Sequence, residues 1–345
     1  MGLELPTQQK KFEEQYRLQE RDEFSDEVTK DEDKPEIRSV PTESEKLEMD
    51  KKLIDLGKLF AGSDVRWQLD GALNISLMKG EYIGLHKDVD LTIEPADLEK
   101  LDEHLFKRGY GLFLTLRTPG KPGKRILKRM SPREVNTLPE NGYVLCAVDA
   151  IGKIKPAKLS SVDVHFIQKN EAGEPTGFSK NIVLPKEWYD PQPVNFQGQE
   201  INLSHPAKVI YFKLYATRPY DMTDVMDLLK TGKVTSSDVE TVSNILEEEL
   251  REKENSIEKV AVQLVAFLDE GKSELEILEL LKSVAGEDSF EADKEKYSEF
   301  VKKLLNGEKT VEKIVALANE VFGFQPEKMR GKIGRLREVA NLLIF

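Results

Sequence analysis

Residues 67–93 read WQLDGALNISLMKGEYIGLHKDVDLTI, and this stretch decides the fold. Its beginning, WQLDG, predicts a short strand that ends in a glycine, and ALNISLMKG predicts a short helix. The alternation in DVDLTIE predicts a second strand, with its aliphatic residues on one face and Asp88 and Asp90 on the other. The stretch is therefore predicted to be a strand–glycine–helix–strand unit that presents two carboxylates together.

The two carboxylates indicate a site for a hard cation. Mg²⁺ prefers oxygen ligands and commonly takes one or two protein carboxylates together with substrate phosphates. Gly71 allows close approach of a phosphate to the backbone, and the start of a helix supplies unpaired N–H groups. The strand SVDVHFIQ offers Asp163, which would ligate metal and accept the proton of an acceptor hydroxyl. We therefore predict a site for Mg²⁺ and a nucleoside triphosphate.

Outward from this unit, the patterns predict an α+β protein in three parts. Residues 1–48 are charged and predicted to be a flexible segment, with a helix between Phe12 and Phe24 as an option. Residues 49–205 alternate helices and strands and predict a mixed sheet with flanking helices. Residues 206–345 are almost entirely helical in pattern and predict an α-helical bundle, with breaks at EKENS, DEGKSE, GEDSFEAD and NGEKT.

Composition excludes several classes of function. The net charge of −12 over 345 residues argues against a general polyanion binder, which needs surplus Lys and Arg. The single cysteine, Cys146, excludes an internal disulfide and favours a reduced, cytoplasmic setting. No apolar run reaches the length of a membrane span, so no membrane association is expected. The apolar spacing of the helices after 236 is typical of a core or of a surface for a protein partner.

In this order the motifs resemble the polymerase-beta-like nucleotidyltransferase superfamily, and within it the lincosamide and aminoglycoside adenylyltransferases. The similarity covers roughly 65–230. LDGALNISLMKGEYIGLHKDVDLTIEPADLEKLDEHLFKRGYGL is similar to the glycine motif, the His-x-Asp-x-Asp motif and the following helix of that group. SVDVHF resembles its Asp-x-His strand, and SHPAKVIYFKLYATRPYDMTDVMDLL resembles its closing helices. The resemblance implies a nucleotidyltransferase fold for this part of the chain.

The resemblance also implies roles for individual residues. Asp88 and Asp90 would be magnesium ligands, and Asp163 would be the third ligand or the base. Gly71 would lie against the triphosphate, Lys213 would approach the phosphates or brace the site, and His86 would pack beside the metal strand. Two departures from the family pattern stand out. Ala72 occupies the second position of the glycine pair, where Gly or Ser is usual, and YIGLH has no arginine before the histidine.

The implied function is Mg²⁺-dependent transfer of a nucleoside monophosphate from a nucleoside triphosphate, with ATP the expected donor, to a hydroxyl-bearing acceptor with release of pyrophosphate. A small molecule, a tRNA end and a protein side chain all remain open as acceptors. The departures at Ala72 and before His86 favour an alternative, a non-catalytic nucleotide-binding or protein-interaction module. That module would hold a partner through the C-terminal helices, and a toxin–antitoxin-type setting is one option.

Three further features allow two interpretations each. A run of cations is either a solvated loop or an arm that contacts phosphate or an anionic acceptor: Lys121, Lys124, Arg125, Lys128, Arg129 and Arg133. An acidic stripe on one helix is either a solvated face or an attractor for a cationic acceptor: Asp221, Asp224 and Asp227. Two aromatic residues either pack in the interior or line an acceptor pocket: Trp188 and Tyr189.

Overall fold

The computed structural model describes residues 39–86, 88–117, 124–136, 142–155, 162–216, 218, 220–286, 290–291 and 293–343, with 18–22, 116–117 and 124–126 as backbone only. Most of the N-terminal segment, for which flexibility is predicted, lies outside these residues. So do Lys121 and the side chains of Lys124 and Arg125. Among the described helices, none is long and apolar enough to cross a membrane.

The chain divides into two compact units. Residues up to Val242, with Leu336–Phe345, form the first, and Ser243–Arg335 form the second. The sequence places the start of the helical part at Pro206, whereas the helices that follow this residue belong to the unit that contains the sheet. Their burial explains this, because Val209, Ile210 and Leu214 are almost inaccessible to solvent in that unit.

One mixed sheet forms the centre of the first unit. Its nine described strands are β1 (Leu18–Asp22), β2 (Trp67–Leu69), β3 (Val89–Ile93), β4 (Tyr110–Arg117), β5 (Lys124–Arg129), β6 (Tyr143–Ala147), β7 (Val162–Phe166), β8 (Gln192–Phe196) and β9 (Gln199–Leu203). Their order is β1-β5-β4-β6-β7-β3-β2-β9-β8. The pairs β3–β7 and β2–β9 are parallel, and the other pairs are antiparallel. Strand β3 is therefore central, between β2 and β7.

The described helices of the first unit are α1 (Glu43–Phe60), α2 (Gly71–Lys79), α3 (Leu98–Arg108), α4 (Pro132–Val135), α5 (Pro206–Ala216) and α6 (Asp221–Leu229). Helix α1 begins at a capping box, in which Thr42 and Glu45 satisfy each other's backbone N–H groups. It therefore starts at Glu43, inside the segment that the sequence assigns to the flexible part. Helix α3 follows a single 3₁₀ turn and ends at Gly109 in the left-handed region.

The remaining described helices are α7 (Ser236–Asp269), α8 (Glu274–Ala285), α9 (Lys294–Asn306), α10 (Val311–Phe322) and α11 (Pro326–Leu343). In the second unit, α7 to α10 bury a common apolar core that includes Leu264, Ile277, Phe300 and Ile314. A capping box between Ser273 and Glu276 begins α8, and its hydrogen bonds lower the pKa of the Glu276 carboxyl to about 2. The predicted fold class is thus confirmed: a mixed sheet with flanking helices precedes a helical region.

The structure corrects several predicted elements in the sheet. The basic segment is not mainly loop, because Lys124–Arg129 pairs with both β1 and β4, and Leu127 is buried against Phe113. The helix considered between Phe12 and Phe24 is wrong at Leu18–Asp22, which is a strand. The sequence also favours a short strand at NIVL, residues 181–184, where the structure has an isolated bridge between Val183 and Thr176. Strand β8, which the sequence does not predict, pairs with β9.

The predicted helix break at EKENS is also wrong, since α7 continues through it. Tertiary contacts of its polar residues account for the continuity. Lys253 lies 4.5 Å above the ring of Phe324, and Glu254 pairs with Arg330 at 2.6 Å. A polar, charged stretch of good helix formers therefore stays helical because its side chains have partners.

The core of the helical unit predicts a sharp contrast between two residues of α9. Phe300 is 2% exposed, and Leu305 is 36% exposed. We expect Phe300→Ala to lower the free energy of unfolding by about 3–5 kcal/mol through the cavity it leaves. Leu305→Ala should cost about 1 kcal/mol or less. Urea unfolding followed by circular dichroism measures both, and equal costs would contradict this core.

Candidate active site

The central strands bring two of the predicted acids side by side. In the parallel pair β3–β7, Asp90 is directly in register with Asp163. Residues in register on neighbouring strands project from the same face of the sheet, so the two carboxylates share one surface. Asp88 precedes β3 by one residue, and all three aspartates are half-buried. The parallel pairing therefore places the β3 acids beside the β7 acid, as the sequence pattern requires.

The turn between β2 and α2 lies in direct contact with this surface. Gly71 has φ of +68°, in the left-handed region that favours glycine, and a Cβ built on it would collide with the Asp90 carboxylate. The N–H of Asp70 donates to the backbone oxygen of Asp90 at 2.8 Å. The start of α2 and its free N–H groups therefore lie against Asp90. The side chain of Ala72 is 7% exposed.

These residues provide the kind of donors that Mg²⁺ uses. Asp90 and Asp163 supply carboxylate oxygens, and the lack of a Cβ at Gly71 lets the start of α2 lie in contact with the Asp90 carboxylate. Within the described residues, no three His, Cys, Asp or Glu side chains form a group that could hold a metal. The donor set therefore fits a magnesium ion whose remaining ligands come from substrate phosphates. The assignment of Asp88, Asp90 and Asp163 as three metal ligands stays a prediction.

A buried lysine lies behind the turn, and sequence reasoning did not assign it a role. Lys208 of α5 is inaccessible to solvent, and its Nζ lies 3.0 Å from Asp70 Oδ1. Nζ also donates to Gln68 Oε1 and to Ser204 Oγ, each at 3.1 Å. Ser204 Oγ donates to Asp70 Oδ1 at 2.5 Å, and the hydroxyl of Thr92 donates to Asp70 Oδ2. We call Gln68, Asp70, Thr92, Ser204 and Lys208 the Lys208 cluster.

Burial governs the titration of this cluster. Loss of solvent lowers the pKa of Lys208, while the charge and hydrogen bond of Asp70 act in the opposite direction. Burial and the Asp70 charge also raise the pKa of Tyr189, whose ring lies 5.0 Å from Lys208 Nζ. Trp188 and Tyr189 are 2% and 7% exposed, so they pack mainly in the interior, and Tyr189 also lines a small cavity with Arg66, Gln68 and Thr92.

Helices α5 and α6 carry a second group of charges. Lys213 is 4% exposed, and its Nζ lies 2.5 Å from Asp224 Oδ2 and 3.4 Å from Asp221 Oδ1. Asp221 and Asp224 are buried, and Asp227 pairs with Lys79 of α2 at 3.0 Å. The acidic stripe is therefore an internal set of ion pairs, and the solvated-face interpretation is wrong. Lys213 is placed as a brace between α5 and α6.

Arg218 is the cation that the structure adds to the predicted set. Its Nε lies 3.3 Å from Asp221 Oδ2, its guanidinium lies 5.3 Å from the ring of Tyr220, and its side chain is 41% exposed. Burial acts to lower the pKa of Arg218, but the charge and hydrogen bond of Asp221 act in the opposite direction, and the pKa is raised. The guanidinium is therefore paired with Asp221 and stays partly accessible to solvent.

Three further residues singled out from the sequence interact with other parts of the protein. His86 is buried, and its backbone N–H contacts the sulfur of Met49 at 3.4 Å. In the basic segment, Lys128 lies 3.7 Å from Glu134, and the charge of Arg129 counteracts the burial that raises the pKa of Asp102. These two described cations of the segment thus interact with acids of the protein itself.

Three solved structures are among those similar to the chain. The lincomycin-bound lincosamide antibiotic adenylyltransferase LnuA is 18% identical, with 52% of this chain and 94% of that chain covered and a TM-score of 0.33. An antigenic nucleotidyltransferase-like protein from Paracoccidioides brasiliensis is 14% identical, with 59% and 88% covered and a TM-score of 0.32. The antibiotic-resistance factor ANT(2'')-Ia is 10% identical, with 61% and 96% covered and a TM-score of 0.35.

The three likenesses carry no argument about this chain. At TM-scores of 0.32 to 0.35 they are distant, and they bring neither a substrate nor a residue role to this chain. No family model and no curated protein matches the chain. Any function for the chain must therefore be argued from its own residues.

The contact between Gly71 and Asp90 predicts different costs for two glycine substitutions. Gly71 and Gly80 both have positive φ, at +68° and +83°, but a Cβ on Gly80 would meet nothing within 4 Å. Gly80→Ala should cost about 1–2 kcal/mol of stability from backbone strain alone. Gly71→Ala should cost about 1–3 kcal/mol more, because the methyl displaces the Asp90 carboxylate. Urea denaturation of both variants tests this, and equal losses would show that the contact is not close.

Proposed function

We propose that this protein is a Mg²⁺-dependent nucleotidyltransferase that moves a nucleoside monophosphate from a nucleoside triphosphate, with ATP the expected donor, to a hydroxyl-bearing acceptor. One observation carries the proposal: the left-handed Gly71 at the start of α2 presses against Asp90, which is in register with Asp163. The acidic oxygens of Asp90 and the N–H groups at the start of α2 are thereby adjacent. That combination suits a divalent cation together with phosphate.

The proposed roles follow from these positions. Asp88 and Asp90 hold Mg²⁺, and Asp163 is either a third ligand or the base that accepts the proton of the acceptor hydroxyl. The backbone at Gly71 and Ala72 approaches the triphosphate. When bound, Mg²⁺ would supply Lewis-acid stabilisation of charge on the phosphate oxygens. Pyrophosphate is the second product of the balanced transfer.

Two cations are available to support the phosphates. The Lys213 Nζ is held at 2.5 Å by Asp224, so we assign Lys213 to bracing the site. Arg218 is partly exposed, so we assign it to contact with the triphosphate. A guanidinium presents several N–H donors in a plane that matches phosphate oxygens.

The lone buried Cys146 supports a reduced, cytoplasmic setting.

A second candidate is a nucleotide-binding module without transferase activity. It is favoured by the lack, within the described residues, of any group of three metal-ligating side chains. Such a module would still bind a nucleotide through the Gly71 turn, and the C-terminal helices would hold a protein partner. The two candidates differ in one product, because only the enzyme releases pyrophosphate.

Nucleotide binding is tested by thermal unfolding with ATP, GTP, CTP and UTP, each with and without Mg²⁺. Saturation at about 100 times Kd should add about 2.7 kcal/mol of stability to the wild type. The shift should require Mg²⁺ and disappear in the Asp88→Asn/Asp90→Asn variant, which removes two carboxylate ligands. Glu200→Gln is the matched control, since Glu200 is an exposed acid on β9 of the same sheet. A shift of equal size in the double variant would refute the metal site.

Pyrophosphate release then separates the two candidate functions. With the nucleotide that binds and a panel of hydroxyl-bearing acceptors, we expect the wild type to release pyrophosphate. Asp163→Asn should abolish that release through loss of the base or of the third ligand. Binding that persists without pyrophosphate release from any acceptor would favour the non-catalytic module.

A further inference from the structure

The Lys208 cluster joins residues from three strands and two helices. Gln68 lies on β2, Thr92 on β3, Ser204 just after β9 and Lys208 on α5, while Asp70 forms the turn into α2. Gln68, Thr92 and Ser204 each contact the Asp70 carboxylate or the Lys208 ammonium, which also contact each other. One buried ion pair therefore fixes the relative positions of three strands and two helices.

The ammonium of Lys208 has each of its three donors matched. Its Nζ donates to Asp70 Oδ2 at 3.2 Å, to Gln68 Oε1 at 3.1 Å and to Ser204 Oγ at 3.1 Å. A lysine ammonium has three N–H donors and no acceptor. A buried polar network whose members are satisfied in this way tolerates only one arrangement, because any displacement leaves a desolvated charge without a partner.

A gain in stability does not by itself account for a buried lysine at position 208. A buried ion pair is often no more stabilising than apolar side chains of similar volume. What the pair does provide is a defined position for the Asp70 carboxylate, which apolar packing would not specify. The contribution of Lys208 therefore has to be sought in what Asp70 positions.

Asp70 is coupled to the candidate active site by two independent bonds. Its backbone N–H donates to Asp90 O at 2.8 Å, and its side chain accepts from Thr92, two residues along β3 from Asp90. Gly71, the next residue, contacts the Asp90 carboxylate itself. A displacement of Asp70 would therefore shift both the phosphate-facing turn and the strand that carries Asp88 and Asp90.

We infer that Lys208 and Asp70 are positioning residues, which hold the Gly71 turn against Asp90 before any ligand binds. This inference rests on the proposed function, because it assigns the pair to preparing that site for a magnesium-bound nucleotide. Neither residue contacts the nucleotide. They act through Gly71 and Asp90, as outer residues around metal sites commonly do.

The experiment compares variants that keep the buried charge balanced. Asp70→Asn/Lys208→Met removes both charges and keeps similar volumes. Thr92→Val is a milder variant that removes one hydroxyl bonded to Asp70. The control is Lys79→Met/Asp227→Asn, which removes an ion pair that joins the far end of α2 to α6. Two readouts are taken on the full chain: amide hydrogen exchange over 67–73 without ligand, and the Kd of the Mg²⁺–nucleotide complex by calorimetry.

We expect the cluster variants to exchange faster over 67–73 and to bind the Mg²⁺–nucleotide complex about 10-fold more weakly. The control should show wild-type exchange and affinity. Unchanged exchange in a folded Thr92→Val protein overturns the inference, whether or not nucleotide binds. Faster exchange with unchanged Kd also overturns it, because the turn would then be stabilised without consequence for the site. No binding to wild type refutes the proposed function instead, and exchange still decides whether the pair holds the turn.

Discussion

The close approach of Gly71 to the Asp90 carboxylate is the constraint on which the rest of the site depends. Both the backbone angle and the contact with Asp90 disfavour a side chain at that position. The contact holds the start of α2 against the central strand β3. The N–H groups at the start of α2, which suit an anion, and the Asp90 carboxylate, which suits a cation, are consequently adjacent.

The charges around this contact are organised in two layers. The inner layer contains Lys208 with Asp70 and Lys213 with Asp224, each pair buried and mutually compensated. The outer layer contains Arg218, which is partly exposed and pairs with Asp221. Buried pairs fix geometry at little net gain in stability, whereas an accessible guanidinium remains available to a ligand. This division explains why Lys213 serves as a brace in the proposed site.

The second unit is stabilised by apolar packing. Residues of several amphipathic helices build its core, and no charged residue of the sheet is among them. The sequence signals for its helix ends were strong, since Ser273 and Gly323 occupy the cap positions that these residue types favour. The one false break, at EKENS, shows the limit of such signals. A polar stretch is predicted to be a loop when the tertiary partners of its side chains are not known.

The sequence by itself determined the strand–glycine–helix–strand unit, the faces of its strands and the fold class, because alternation and caps are local properties. It also identified Gly71, Asp88, Asp90 and Asp163 as candidates. Only the tertiary structure decided that β3 and β7 pair in parallel with Asp90 opposite Asp163, that Lys208 pairs with Asp70, and that Lys213 pairs with Asp224. These contacts join residues far apart in the chain, and strand order and helix packing, which local periodicity does not encode, bring them together.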